Sequence, residues 1–430
     1  MIALLVVRLA EIYPPLVRIR PTIVAATIVG ALLAQRVRPQ IWRVVLQQPV
    51  MKWLALYFAA ILVTIPFAIW PGGAFGILYV LPFMGLMFAA ILVCEPTRDT
   101  LDRLIRWTVL IGGGYAAYVM VFGSIIIDNL GGARLGGLGM YDPNDLAVLA
   151  VIIMQLAIGM ALRERALWRV VGAAAATITV IVALKTGSRG GTLALTTGIL
   201  TLLLAQKPSR FFALATIIAI AIPLAWMFGP ESFRVRTASF LNIGNDYTFT
   251  TDAGRWIIWQ RGLGYFIRRP IIGIGPSGYG LREGEFFASQ GRTGAWLTAH
   301  NTYLQVLVEL GIFGGVALCG MIAAAVRGAV PLWRRPKASA PNRLYRPEIF
   351  AMLTGFLAGA LFLSHAYSPM LFFTLALAVY AGRVYQTELQ LGGAAHRSPP
   401  VRNGRTVLRR TINSARPAAR FAAPLGRLVT

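Results

Sequence analysis

Apolar runs of the length needed to cross a bilayer, about 20 residues each, recur from Trp53 almost to Arg383. A chain that carries so many of them has few folds open to it. With 57% of residues apolar and only 13% charged, against roughly a quarter charged in soluble proteins, an ordinary water-soluble domain is excluded. Stretches such as Phe211 to Phe228 are apolar all round and do not alternate with polar residues, which rules out a transmembrane β-barrel. The expectation is an all-α polytopic membrane protein with about 11–12 spanning helices. Of the only cysteines, Cys94 is expected on the cytosolic side and Cys319 inside a span, so neither a disulfide framework nor a thiolate metal site is expected.

Spans are expected at 22–35, 53–70, 74–93, 104–127, 145–162, 168–185, 190–205, 211–228, 303–326, 348–365 and 368–382. The formal charge of +25 is informative through its distribution rather than as a sign of nucleic-acid binding. Arg36 to Lys52, Arg98 to Arg106, Arg163 to Arg169, Lys207 with Arg210, Arg327 to Arg346 and the tail beyond Arg383 all fall on one side, which the positive-inside rule makes cytoplasmic. The other side, facing the periplasm or cell exterior, holds the Gly-rich stretch from Asp128 to Asn144, the turn at Ser188, a loop of about 70 residues from Gly229 to Asn301, and the Ser364–Pro369 turn. Residues 1–20 leave open a further weak span or an interfacial helix, and a cleavable signal peptide is not expected. The chain accordingly divides into an N-terminal bundle (1–228), a large outer loop with short amphipathic helices (229–301), C-terminal spans (302–385) and a basic, disordered cytoplasmic tail (386–430).

Four polar constellations lie at the outer ends of spans, where an ionisable group must be paired, snorkelling or facing a watery cavity. In Tyr141-Asp142-Pro143-Asn144-Asp145, Asp142 suits a helix N-cap and Pro143 the first helical position, while the glycines from Gly131 to Gly139 suit a mobile flap and Asn144 a substrate contact. In Lys185-Thr186-Gly187-Ser188-Arg189-Gly190-Gly191, either a tight turn with a snorkelling Arg189 or a phosphate site lined by Ser188 and Gly190 fits the residues. In Gly254-Arg255-Trp256-Ile257-Ile258-Trp259-Gln260-Arg261, Trp256, Trp259, Leu263 and Phe266 repeat at helical spacing, which predicts an amphipathic helix at the membrane surface. That helix holds Arg255 and Arg261 near headgroup level. In His300-Asn301-Thr302-Tyr303-Leu304-Gln305, Asn301, Gln305 and Glu309 share one helix face and should line a cavity. His300 stands at its mouth, as a cap or as a general base.

Taken in order, Asp142-Pro143-Asn144-Asp145-Leu146-Ala147, Ser188-Arg189-Gly190-Gly191, Gly254 to Trp259, Gly273-Ile274-Gly275-Pro276-Ser277-Gly278, His300 to Leu304 and Glu309-Leu310-Gly311 resemble the O-antigen ligase and polymerase superfamily of bacterial envelope glycan assembly, over roughly residues 20 to 385. The resemblance implies a periplasm-facing glycosyltransferase in the inner membrane. Its donor would be a glycan on undecaprenyl diphosphate, and its acceptor a hydroxyl of the lipid A core or of a second lipid-linked glycan. It also implies arginines, Arg189 and Arg255, that stabilise the departing diphosphate, and a histidine, His300, as base, with inversion and without metal or other cofactor. Ser188, Gly190, Arg261, Asn301, Tyr303, Gln305, Glu309 and Asn144 are the candidate substrate contacts, and membrane lipids but no nucleic acid are the further partners. The competing class is a transporter. It would be expected to place its charged or broken-helix sites near the bilayer midplane, whereas the polar residues here, Glu309 apart, gather at one face.

Overall fold

The computed structural model describes residues 18, 20–127, 132–138, 141–206, 208–229, 234, 251–292, 296–333 and 346–397. The flap residues 128–131, most of 230–250, the first 17 residues and the tail from 398 lie outside this set. The helices are α1 (Pro21–Arg36), α2 (Pro39–Leu46), α3 (Pro49–Thr64), α4 (Pro71–Val93), α5 (Arg98–Phe122), α6 (Pro143–Arg163), α7 (Ala166–Lys185), α8 (Arg189–Leu204), α9 (Pro208–Phe228), α10 (Arg255–Arg268), α11 (Gly278–Ser289), α12 (Thr302–Trp333), α13 (Arg346–Gly359) and α14 (Pro369–Arg397). Two short strands, β1 (Ile125–Ile127) and β2 (Ala133–Leu135), pair antiparallel between α5 and α6. The chain divides into a unit ending at Leu389 and a second from Gln390, and the candidate site lies wholly in the first.

Every expected span has a helix beneath it. Among the described residues six helices, α3 (with its 3₁₀ extension to Phe67), α4, α5, α6, α7 and α12, are long and apolar enough to cross a membrane; α1, α8 and α13 are shorter apolar helices. Boundaries differ where local chemistry intervenes. The span expected at 104–127 stops at Phe122, and Ile125 to Ile127 turn into strand, as a β-branched run favours. Helix α12 runs on to Trp333, and α14 stays helical to Arg397, past Gln386 where the disordered tail was expected to begin.

Helix α6 is the centre of the unit: 78% of its most apolar window is buried, against 28% for α7. Its apolar residues face neighbours on all sides, as a core helix requires, and it packs on α5, α7, α8 and α13. The approach to α7 is made at Gly172, where a Cβ would stand 2.6 Å from the Ala161 nitrogen; small residues at such points let two backbones meet. At the end of α6 remote from Asp142, Arg106 grips Glu164 through two hydrogen bonds of 2.9 and 2.8 Å, and Arg163 reaches Glu348 at 2.7 Å. These charge-assisted pairs tie α5 and α13 to the foot of α6.

Helix α12 is broken at Gly311, whose φ of 66° and ψ of −165° belong to a region that only glycine occupies without strain. The segment 270–275 lies in the break. The Ile274 and Gly275 N–H groups donate to the Val308 and Glu309 carbonyls at 3.0 and 2.9 Å, and the Ile312 N–H donates to the Pro270 carbonyl at 2.8 Å. The long loop is thereby welded to the bundle by backbone bonds that the broken helix cannot make within itself. A Cβ at Gly311 would lie 2.1 Å from the Ile271 carbonyl oxygen, while one at Gly264 would meet nothing within 4 Å. Gly311→Ala is therefore expected to cost at least ~1–3 kcal/mol and to lower the thermal unfolding midpoint of the detergent-solubilised protein, whereas Gly264→Ala, inside α10, should leave it equal or slightly higher.

Candidate active site

One end of the bundle gathers the polar constellations. The Asp142 carboxylate caps α6, accepting from the Asn144 and Asp145 N–H groups at 2.7 and 2.8 Å, so the capping role read from the sequence is real. Asn144 is nearly buried, donates to Asp142 at 3.2 Å, and accepts from Arg134 at 3.0 Å. Arg134, on β2, also donates to the Thr186 carbonyl at 2.8 Å. It is a strut between the described part of the Gly-rich stretch, the start of α6 and the turn before α8.

That turn ends in Ser188, whose Oγ accepts from the Gly191 N–H at 3.1 Å as the α8 N-cap. Gly190 is small because α8 packs there on the 3₁₀ turn that follows α13: its Cβ would meet that of Phe362 at 3.0 Å. Arg189, half-buried, is the first residue of α8. Arg255 is likewise the first residue of α10, and its guanidinium lies 5.7 Å from the Phe362 ring. Both candidate arginines thus stand at helix N-termini that meet Phe362. Each start carries roughly half a positive charge from its unpaired N–H groups, which adds to the guanidinium and suits an anion.

His300 completes the arrangement. It is a non-glycine residue at φ 46°, a left-handed backbone that costs roughly 1–2 kcal/mol and that histidine tolerates better than most residues. The neighbouring contacts hold it there. Its N–H donates to Ser364 Oγ at 2.9 Å, Thr302 Oγ1 donates to the Leu363 carbonyl at 2.7 Å, and Trp259 Nε1 donates to the Ala299 carbonyl at 2.9 Å. Burial, and then the positive charge of Arg255, push the His300 imidazole down to about 4, against an opposing pull from Asp142. The imidazole is therefore neutral at neutral pH, with Arg255 and Asp142 both within electrostatic reach.

A second histidine, which motif spacing did not single out, lies beside the first. His365 is buried, its N–H donates to Thr302 Oγ1 at 2.9 Å, and its Nε2 stands 3.6 Å from Asp145 Oδ1. Burial pushes it to about 4, opposed by Asp142. The available signal was its position in the Ser364–Pro369 turn, expected on the same side as the other constellations, as one of three histidines in the chain. Arg134 was missed because nothing in a Gly-rich stretch says which way its one arginine folds.

The remaining candidates have protein partners. Arg261 is held between Glu283, at 3.0 Å to its Nε, and the Phe286 ring at 4.4 Å. Burial works against its charge, but the Glu283 hydrogen bond and charge outweigh it and keep the guanidinium ionised. Asn301 Oδ1 accepts from the Leu304 N–H at 3.0 Å, as a helix cap, and Tyr303 donates to the Leu357 carbonyl at 2.8 Å. Gln305 accepts from the Ala366 N–H at 3.4 Å. The Glu309 carboxylate accepts from Tyr367 at 2.8 Å and from the Tyr279 N–H at 3.2 Å. The polar stripe of α12 therefore meets the 364–368 turn and the start of α11 rather than an open cavity.

The face of α10 is also split. Trp256 and Leu263 are exposed, whereas Trp259 and Phe266 pack with Ile258, Ile274 and Tyr279 in a small separate core. Among the described residues no three His, Cys, Asp or Glu side chains converge as a metal site would need.

No curated protein matches the chain. Residues 174–319 match the family model described as O-antigen ligase, a stretch that holds Arg189, Arg255 and His300 and leaves Asp142, Asn144 and His365 outside it. With six helices fit to cross a membrane, the match supports a multi-pass bacterial membrane enzyme of the O-antigen ligase and polymerase superfamily.

Proposed function

We propose that the protein transfers a glycan from undecaprenyl diphosphate to an acceptor hydroxyl at the periplasmic face of the inner membrane, with the lipid A core as acceptor. The observation that carries this reading is His300, held in a left-handed backbone by Ser364 and within electrostatic reach of Arg255 and Asp142, inside the stretch that matches the O-antigen ligase model. In this scheme Arg189 and Arg255 cradle the diphosphate, and their charge stabilises it as the sugar–phosphate bond breaks. His300 removes the proton of the attacking hydroxyl. Direct displacement inverts the anomeric centre, and the sugar–diphosphate bond supplies the energy, so the scheme needs neither nucleotide nor metal. Asp142 helps the imidazole carry the proton it gains. The break in α12 does not favour a transporter, because segment 270–275 fills it with backbone hydrogen bonds.

Donor binding strengthens the base in this scheme. A diphosphate at Arg255 offsets the charge that holds His300 down, so the imidazole gains proton affinity only when the donor is in place.

Three outcomes test the reading. His300→Asn tolerates the left-handed backbone but has no base. It should lower transfer ~10²–10⁴-fold, with little change in thermal stability, in an assay with purified lipid-linked donor and acceptor. Near-normal turnover by this variant would remove His300 from the chemistry. Arg255→Lys keeps the charge but loses the planar fork, and should cut turnover while Arg255→Gln cuts it further; equal activity of the lysine variant and the wild type would mean that point charge alone suffices. A histidine held at about 4 stays neutral until pH falls through that value. The acid limb of kcat/KM, which reports the free enzyme, should therefore lie near pH 4. The limb of kcat, which reports the donor complex, should lie higher, and Arg255→Gln should move the kcat/KM limb upward.

A further inference from the structure

Between α10 and α11 lies a cleft of about 360 Å³ lined by Arg268, Arg269 and Arg282, with Tyr265 and Phe286 as walls and Ile274 as floor. It is separate from the arginines of the proposed transfer site, since the 13 residues from Arg255 to Arg268 put about 20 Å of helix between them. Its charge is not balanced locally. Arg282 pairs with Glu285 at 2.7 Å, whereas no carboxylate among the described residues pairs with Arg268 or Arg269. The C-terminal end of α10 contributes only about half a negative charge. Three cations against one carboxylate and that partial charge leave a clear excess of positive charge in a concave site.

The walls are fixed before any ligand arrives. Tyr265 donates to Glu283 at 3.0 Å, Glu283 also holds Arg261, and the Ile274 N–H is bonded to α12. Preorganisation of this kind reduces the ordering cost of binding. Beside the two free arginines run exposed aliphatic side chains: Leu263, Ile267 and Ile271 are 52%, 67% and 60% exposed. A row of aliphatic side chains left open to solvent marks a contact surface for another apolar phase, and cations set next to it are the pattern of a helix lying at a lipid headgroup layer.

We infer that this cleft binds the phosphate of a membrane-anchored lipid, with Arg268 and Arg269 as its main ligands, Arg282 as a third, and the acyl chains running along Leu263, Ile267 and Ile271. Its place about 20 Å along α10 from Arg255 makes it a second lipid-phosphate site, suited to anchoring a phosphorylated acceptor lipid while the donor occupies the first. The lipid-binding inference rests on this end of the bundle facing a membrane surface, and the acceptor role given to it rests on the proposed transfer.

Equilibrium binding with the full-length protein in maltoside detergent, which carries no phosphate, tests it without turnover. The probes are dioctanoyl phosphatidic acid, dioctanoyl glycerol and inorganic phosphate. Phosphatidic acid is expected to bind at least about tenfold more tightly than the diacylglycerol, the factor that one charge-assisted hydrogen bond supplies, and also more tightly than inorganic phosphate. The Arg255→Ala variant, which disables the proposed donor site, should keep that preference, and Arg268→Ala/Arg269→Ala added to it should abolish it. Arg268→Gln alone, at an exposed residue with no partner to lose, should lower the preference if the triple variant fails to fold. A preference that survives the changes at Arg268 and Arg269, or that vanishes with Arg255→Ala, overturns the site. Equal binding of inorganic phosphate and phosphatidic acid overturns the lipid assignment. Near-normal transfer by His300→Asn with the phosphatidic acid preference intact would sink the transfer reading and leave this one standing, whereas lost preference with His300-dependent transfer intact would do the reverse.

Discussion

The break in α12 at Gly311 is the constraint on which the architecture around His300 depends. A helix in an apolar environment must satisfy its backbone internally, and α12 does not do so around Gly311. The N–H and carbonyl groups it frees are taken up by segment 270–275, which fixes the end of α10 and the beginning of α11 against the bundle. Glu309, two residues before the break, reinforces the join by accepting from the Tyr279 N–H and from Tyr367. With that join made, Trp259 can reach the Ala299 carbonyl and Arg255 can lie over Phe362. The position of Arg255 relative to His300 thus follows from a glycine eleven residues downstream of the histidine.

The site itself is assembled from helix beginnings. α6, α8, α10 and α12 all start at this end, each with a side chain or a special backbone conformation at its first turn: the Asp142 cap, the Ser188 cap, Arg255 and the strained His300 with its Asn301 cap. Converging helix starts create a region of positive potential before any arginine is counted. His300 is the exception in that environment, since burial and Arg255 keep it uncharged. A neutral base next to fixed positive charge is the combination that an acid-forming displacement with an anionic leaving group needs.

The helical framework was legible because spanning helices must be apolar over their whole length, a signal that no neighbour can hide. The residues His300, Arg189 and Arg255 were legible for a related reason: each stands where an apolar segment begins, and local spacing shows that. What faces a side chain across the fold is a different kind of information. Gln305 and Glu309 do form a polar stripe, but the sequence carries no sign that the 364–368 turn, some 60 residues away, would fill the space before it. Arg134 and His365 enter the site through contacts 52 and 63 residues distant in sequence. The Trp256 to Phe266 repeat predicted one apolar face, and packing divided it, because Trp259 and Phe266 join a core supplied by α11 and the 270–275 segment.

Helix α10 is 14 residues long and uninterrupted, and so it behaves as a rod of about 21 Å. One end carries Arg255 and the other leads to exposed aliphatic side chains. Segment 270–275 anchors its far end to α12, so the rod cannot shift along its axis independently of the bundle. Whatever height the bundle takes in a bilayer sets the height of Arg255 as well. Membrane thickness reaches the anion site only by moving the bundle as a whole, at a fraction of a kcal/mol for each ångström of mismatch.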